Sequence, residues 1–186
     1  MDKIFLSADQ LLQDSFALGR EVLASGFRPD ILVGVWRGGT PIAIAVHELL
    51  LAAGVDCDHI PIKCQSYTGI DQRAATISID GLSYLQRTLQ TGAHILIVDD
   101  VHDTGESLAM LKEKIGLIQP GCNVRVACVY FKPSRSQVTF KPDYFQHETN
   151  SWLVFPHELV GLSHSELREH KPQVADLLAT GTDRFD

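Results

Sequence analysis

The sequence predicts an α/β protein built on an open, mainly parallel sheet flanked by helices, with a small cover added after the sheet. Three observations carry this expectation. Short apolar runs alternate with helical periodicity between residues 31 and 131, the order that produces a parallel sheet. The strongest runs, 31–35 and 95–98, are rich in Ile, Leu and Val with no in-and-out alternation, as strands covered on both faces require. Two of them lead directly into loops rich in glycine or acid, which in such sheets collect along one edge. With 186 residues, 45% hydrophobic and 21% charged, the chain suits one compact domain over 1–186, in which 133–186 contributes the cover and a C-terminal helical extension.

Taken in order, Ser7 followed by Gln10 is a capping-box signature, and Leu11, Leu12, Ala17, Leu18, Val22 and Leu23 recur at helical spacing before Gly26. Ile31-Leu32-Val33-Gly34-Val35 reads as a buried strand and Trp36-Arg37-Gly38-Gly39 as a loop. Thr40 and Pro41 then read as cap and first residue of a helix reaching about Ala53. An extended stretch, 59–65, runs into the polar segment 66–75, a candidate flap, and 76–79 is a further strand. Ile95-Leu96-Ile97-Val98 is the strongest strand. The loop 99–105, a helix from about Glu106 to Leu117 and a strand from Val124 to Phe131 follow. Beyond Pro133 the pattern loosens into short strands at Tyr144-Phe145 and 152–155, and Ser163 with Glu166 caps a polar helical tail. No internal repeat or low-complexity segment interrupts this order.

Charge and cysteine usage exclude several classes. Sixteen Lys and Arg against 23 acids leave a net charge of −7, which disfavours a general electrostatic grip on nucleic acid. Cys57, Cys64, Cys122 and Cys128 form no C-x-x-C pair and are read as reduced, packed thiols. The amino-terminal residues turn polar too soon for a signal peptide, and no apolar run is long enough to span a bilayer, so no membrane partner and a cytoplasmic location are expected.

Asp103-Thr104-Gly105-Glu106-Ser107 enters a helix, where backbone N–H groups, the helix dipole and two hydroxyls can hold a phosphate. Asp99 and Asp100 just before it would repel that phosphate unless they face hydroxyls or a cation. A sugar phosphate with metal meets both needs. An ordinary helix cap beside solvated acids explains this loop alone equally well. Arg37-Gly38-Gly39 supplies a cation and permissive backbone at another helix start. An ordinary Gly-Gly turn explains it by itself, but the two loops on one edge favour a ligand with two separated anionic groups.

The run from Ile95 to Ser107 resembles the phosphoribosyl pyrophosphate motif of the type I phosphoribosyltransferases, and the element order from about 28 to 160 is similar to that family. The resemblance places Arg37, Gly38 and Gly39 on pyrophosphate. It places Asp99 and Asp100 on the ribose hydroxyls and a magnesium ion, and Asp103, Thr104, Gly105, Glu106 and Ser107 on the sugar phosphate. Asp103 also exchanges a proton with the base, and Ser66, Tyr67 and Arg73 belong to a flexible loop closing over the site. Within the family, Phe131-Lys132-Pro133 and the run 151–158 look like the base-binding segments of 6-oxopurine enzymes. Lys132 then contacts the six-oxo group, Trp152 stacks on the ring, the Leu153 backbone reads its edge, and Glu158 helps hold a second magnesium ion. Val154 stands where the xanthine-guanine type has an acid, and His157 where it has a tryptophan, which leaves hypoxanthine, guanine and xanthine open. The resemblance implies a homodimer or homotetramer.

A non-catalytic regulator sensing phosphoribosyl pyrophosphate, or a phosphoribosyltransferase for another nucleobase, shares the motif. The first is disfavoured because Asp103, Lys132 and Trp152 are all present and no helix-turn-helix or basic domain accompanies them. A phosphorylation receiver domain is excluded by the 32 positions from Asp100 to Lys132, too few for its further strand and acceptor aspartate. A metal hydrolase lacks its H-E-x-x-H.

Overall fold

A computed structural model describes residues 3–67 and 76–180. These fall into two compact units, one within 9–150 and the other made of the described residues up to 8 and from 151 on. The elements are β1 (Lys3–Phe5), α1 (Ala8–Ala24), β2 (Ile31–Trp36), α2 (Gly39–Ala52), β3 (Asp58–Tyr67), β4 (Thr76–Asp80), α3 (Ser83–Thr88) and β5 (His94–His102). They continue with α4 (Glu106–Ile118), β6 (Asn123–Phe131), β7 (Tyr144–Glu148), β8 (Trp152–Val154), α5 (His164–His170) and α6 (Pro172–Thr180).

The larger unit is the expected α/β sheet, ordered β4-β3-β2-β5-β6-β7, parallel throughout except where β4 runs antiparallel to β3. The central strands β2 and β5 carry the unbroken non-polar runs Ile31–Val35 and Ile95–Val98 because both their faces are covered there. Ile95, Leu96, Ile97 and Val98 are fully buried. One cluster joins Ile31, Val33, Ile95, Ile97 and Val126 to Leu85 of α3, Leu89 at its C-cap, and Leu108, Leu111 and Ile115 of α4. Each such large aliphatic side chain contributes roughly 1.5–3 kcal/mol by leaving water.

In α1 the buried positions are Leu11, Asp14, Ser15, Leu18, Gly19 and Val22, a stripe at helical spacing, while Leu12 and Phe16 stay exposed. Two boundaries differ from expectation. Gly38, not Thr40, is the N-cap of α2, which puts Pro41 within the first turn, where its missing N–H costs nothing. The strand expected to end at Val98 continues as β5 to His102, because β6 keeps pairing with it as far as His102↔Phe131. The acid pair therefore stands on the strand end and not in a loop.

The stretch expected as a cover, 133–186, divides at 151. Residues 133–150 belong to the larger unit, since β7 adds to the sheet beside β6. In the smaller unit β1, which has no sequence signal at three residues, pairs in parallel with β8. The Ser163–Glu166 capping box is formed: the Glu166 amide donates to Ser163 Oγ at 3.3 Å, and Ser163 N donates to Glu166 Oε2 at 2.8 Å. The tail holds two helices, with Pro172 opening the second. Lys3 pairs with Glu166 at 2.6 Å and Phe5 stacks on His170 at 3.7 Å, which ties β1 to α5. All four cysteines are free. Among the described residues no helix is long and apolar enough to cross a membrane.

Candidate active site

The carboxyl end of β5 carries the acid pair, and the glycine loop after β2 lies directly on it. A Cβ at Gly38 would fall 2.0 Å from Asp100 Oδ2. At Gly39 it would fall 2.5 Å from the Val98 carbonyl and 2.7 Å from Asp99 Cα. Only glycine permits this approach, so the two loops read separately from the sequence form one surface. Arg37 stands exposed beside them, joined to Trp36 by a cis peptide bond.

Each acid is turned by the backbone. Asp99 Oδ1 accepts the Asp100 amide at 2.9 Å, and Asp100 Oδ1 accepts the Val101 amide at 2.7 Å. Burial, with the negative charge of Asp100 added, pushes the Asp99 carboxyl well above the ordinary carboxylate range. A nearby cation relieves that strain on the charged form. Among the described residues no three His, Cys, Asp or Glu side chains gather into a metal cage. Two carboxylates that leave further positions to substrate oxygens and water fit magnesium, which is usually held by one or two protein carboxylates.

Beyond β5 the chain turns at Gly105, whose φ of +80° is a left-handed conformation, and α4 begins. A Cβ there would also lie 2.4 Å from His102 Nε2 and 2.6 Å from Val138 Cγ2. No side chain caps this helix from the N-cap position, and the hydrogen bond closing its first turn runs from the Ala109 amide to the Gly105 carbonyl at 2.9 Å. The earlier amides of that turn are the natural donors to an anion. Thr104 Oγ1 donates to Glu106 Oε2 at 3.2 Å and lies 3.4 Å from the Glu106 amide, so the two expected phosphate-loop side chains brace each other.

Asp103 faces the segment after β6. Lys132 Nζ donates to its Oδ2 at 3.0 Å, and Arg135 Nε donates to its Oδ1. Burial pushes this carboxyl up, but the hydrogen bonds from Arg135 and Lys132 outweigh it and hold the carboxyl below the ordinary value. Lys132 is itself buried, at 5% exposure. The structure thus joins the expected proton-exchanging acid to the expected base-binding lysine.

Arg135 was not foreseen. It reaches Asp103 because a turn, Arg135 N to Lys132 O at 3.1 Å, folds the chain back after Pro133. The same return places Gln137 N on the Thr104 carbonyl at 2.9 Å and Ser136 Oγ on His102 Nε2 at 3.1 Å. Residues 135–138 form the wall behind the 103–107 loop, and the hint of this in the sequence is the turn-forming Pro133-Ser134. His102 is fully buried, and burial lowers its pKa, so it serves as a neutral packing and hydrogen-bonding group.

Of the other expected residues, Ser66 and Tyr67 close β3, while Arg73 and the rest of the flap, 68–75, lie outside the described residues. In the smaller unit Trp152 is half exposed, at 49%, and Leu153 is buried. Glu158 closes a tight turn: Phe155 N donates to its Oε2 at 3.0 Å, and its own amide donates to the Phe155 carbonyl at 3.0 Å. A cavity of about 420 Å³ between α2 and the β2–β3 strands, lined by Ile44, Leu51 and Ile60 among others, contains none of the expected site residues.

The family described as phosphoribosyl transferase domain matches residues 6–162. The chain is 30% identical over 185 residues to the hypoxanthine-guanine phosphoribosyltransferase of Lactococcus lactis, covering 95% of this chain and 91% of that protein. It is 29% identical over 162 residues to the xanthine-guanine phosphoribosyltransferase of Idiomarina loihiensis, covering 84% and 88%. Among solved structures, purine phosphoribosyltransferase from Pyrococcus horikoshii superposes with a TM-score of 0.68 at 30% identity, covering 88% of this chain and 99% of that one.

Proposed function

The chain belongs to the phosphoribosyl transferase family, and we propose that it transfers ribose-5-phosphate from phosphoribosyl pyrophosphate to a 6-oxopurine, giving a nucleoside monophosphate and pyrophosphate for purine salvage. The observation that carries this reading is the packing of Gly38 and Gly39 on Asp100 and Asp99, which puts an arginine loop, an acid pair and a helix start at one sheet edge. Arg37 and its glycines hold the departing pyrophosphate, while the first turn of α4 with Thr104 and Ser107 holds the 5′-phosphate. Asp103 exchanges the proton on the five-membered ring of the base, and Lys132 donates to the six-oxo group. Trp152 stacks on the purine and the Leu153 backbone reads its edge. Magnesium would be held by Asp99 and Asp100, with Glu158 for a second ion, and when bound would supply charge neutralisation of the leaving group.

The reading includes a cytoplasmic homodimer or homotetramer; Ile44 and Leu51 leave 61% and 40% of their surface exposed on α2, apolar area that an assembly would cover. Light scattering reads the mass. The deciding assay measures pyrophosphate release from phosphoribosyl pyrophosphate with hypoxanthine, guanine, xanthine, adenine and uracil, each with magnesium and with chelator. Turnover with at least one 6-oxopurine, lost in chelator, is expected. Turnover confined to adenine or uracil, or indifferent to chelator, overturns the assignment.

A further inference from the structure

Lys171 occupies the corner between α5 and α6 and has both backbone groups committed. Its amide donates to the Leu167 carbonyl at 2.8 Å, ending α5, and its carbonyl accepts the Val174 and Ala175 amides at 3.0 Å, opening α6. With the backbone fixed by two helices, the side chain reaches back to one short stretch of chain. Its ammonium has three N–H donors. They go to the Phe155, Pro156 and Glu158 carbonyls at 2.7, 2.9 and 2.8 Å.

Three carbonyl dipoles converging on one point repel one another unless a cation lies between them, much as oxygen ligands converge on a bound metal ion. Lys171 is that cation. The stretch it gathers is the turn in which Glu158 Oε2 accepts the Phe155 amide, and it begins immediately after Trp152–Val154. Partial burial lowers the Lys171 pKa, opposed by the charge of Glu158, as a cation drawn in from solvent requires.

We propose that Lys171 is a positioning residue for purine recognition: it acts as a fixed internal cation that holds the 155–158 turn, and through it Trp152, Leu153 and Glu158, in the conformation that receives the base. This rests on the function proposed above, and it gives the C-terminal extension a task in the reaction. The sugar phosphate, the pyrophosphate loop and the acid pair are assigned to residues of the larger unit, so losing Lys171 falls mainly on the base, with a smaller effect on phosphoribosyl pyrophosphate through Glu158 and the second ion proposed for it.

The test compares the parent with Lys171→Met, which keeps the length and removes the charge. Lys171→Gln retains two N–H donors without the charge and serves should the apolar variant not fold. Either neutral variant is expected to raise KM for the 6-oxopurine at least about tenfold, and by at least about threefold more than KM for phosphoribosyl pyrophosphate. Lys171→Arg, which keeps the charge but not the compact ammonium, should recover part of the loss. Hydrogen exchange supplies a readout independent of activity. The Phe155 and Glu158 amides should exchange at least about tenfold faster in the neutral variants, while the Leu6 amide, bonded to the Val154 carbonyl at 3.0 Å, keeps its parental rate. Unchanged base KM, equal rises in both KM values, an arginine variant no better than the neutral ones, or unchanged exchange at 155 and 158 overturns the inference. If the parent turns over no 6-oxopurine, the functional assignment fails by itself, and exchange still decides whether Lys171 organises the turn.

Discussion

Two carboxyl centres stand at the end of β5, the Asp99–Asp100 pair and Asp103, and their surroundings push them in opposite directions. At the pair, burial and a second negative charge favour the protonated form of Asp99. Three residues past the pair, two cations on the returning segment hold Asp103 ionised although burial opposes them. The pair is a place that gains from receiving a positive charge, whereas Asp103 already has its countercharges from the protein. Under the proposed function, this difference separates binding of an anionic, metal-carrying ligand from handling of a proton on the base.

That separation can be broken most directly at Asp103. Asp103→Asn keeps the shape of the side chain but cannot accept a proton at neutral pH, so turnover should fall about a hundred- to ten-thousand-fold. Affinity for phosphoribosyl pyrophosphate should stay within about tenfold of the parent. Rapid-quench turnover and equilibrium binding on one preparation read the two quantities, and near-parental turnover would show that Asp103 is no proton acceptor.

The partner of Asp103 sharpens the same contrast. Lys132→Ala removes a buried charged hydrogen bond worth roughly 1.5–3 kcal/mol, so KM for the 6-oxopurine should rise about 12- to 150-fold. Steady-state kinetics with each substrate varied in turn would contradict the assignment if the loss fell on phosphoribosyl pyrophosphate instead.

On the acid-pair side, Gly39→Ala drives a methyl group into the Val98 carbonyl and Asp99 Cα, backbone atoms that cannot step aside. Overpacking of this kind costs roughly 1–3 kcal/mol, which predicts a loss of about five- to 150-fold in phosphoribosyl pyrophosphate affinity. Calorimetry in magnesium reads it. Parental affinity would separate the glycine loop from the acid pair.

The smallest expected effect is a shift of pH profile. Asp103 sits below its ordinary value of 3.8, so it contributes to stability above that pH and the contribution disappears as pH falls through the lower folded value. Arg135→Gln removes one of the groups that depress it. The acidic limb of kcat/KM should therefore move to higher pH, with turnover at pH 8 within about threefold of the parent. An unmoved limb would leave Lys132 as the cation that controls Asp103.

What was legible in the sequence is what local chemistry dictates. Ile95 to Val98 had to be a buried strand because nothing polar interrupts it, and Gly105 followed by Glu106 marked a helix start by a residue able to take positive φ. The acid pair, the Arg37 loop and the Ser163–Glu166 box were visible for the same reason, since each depends on residues a few positions apart, whereas Lys132 stood out only through the family resemblance of Phe131-Lys132-Pro133. The exact end of β5 was not visible: Asp99 and Asp100 read as loop residues, and only pairing with β6 keeps them extended.

Tertiary structure alone decided the rest. The Arg135–Asp103 pair spans 32 positions, and the three Lys171 bonds span 13 to 16. β1 finds β8 across almost the whole chain, where three residues carry too little periodicity to announce a strand. An exposed arginine, a lysine in a polar tail and a three-residue strand have no distinguishing local pattern. Their roles arise when the fold brings charges and backbone carbonyls together, because electrostatic and hydrogen-bond energies depend on distance in space and not on separation along the chain.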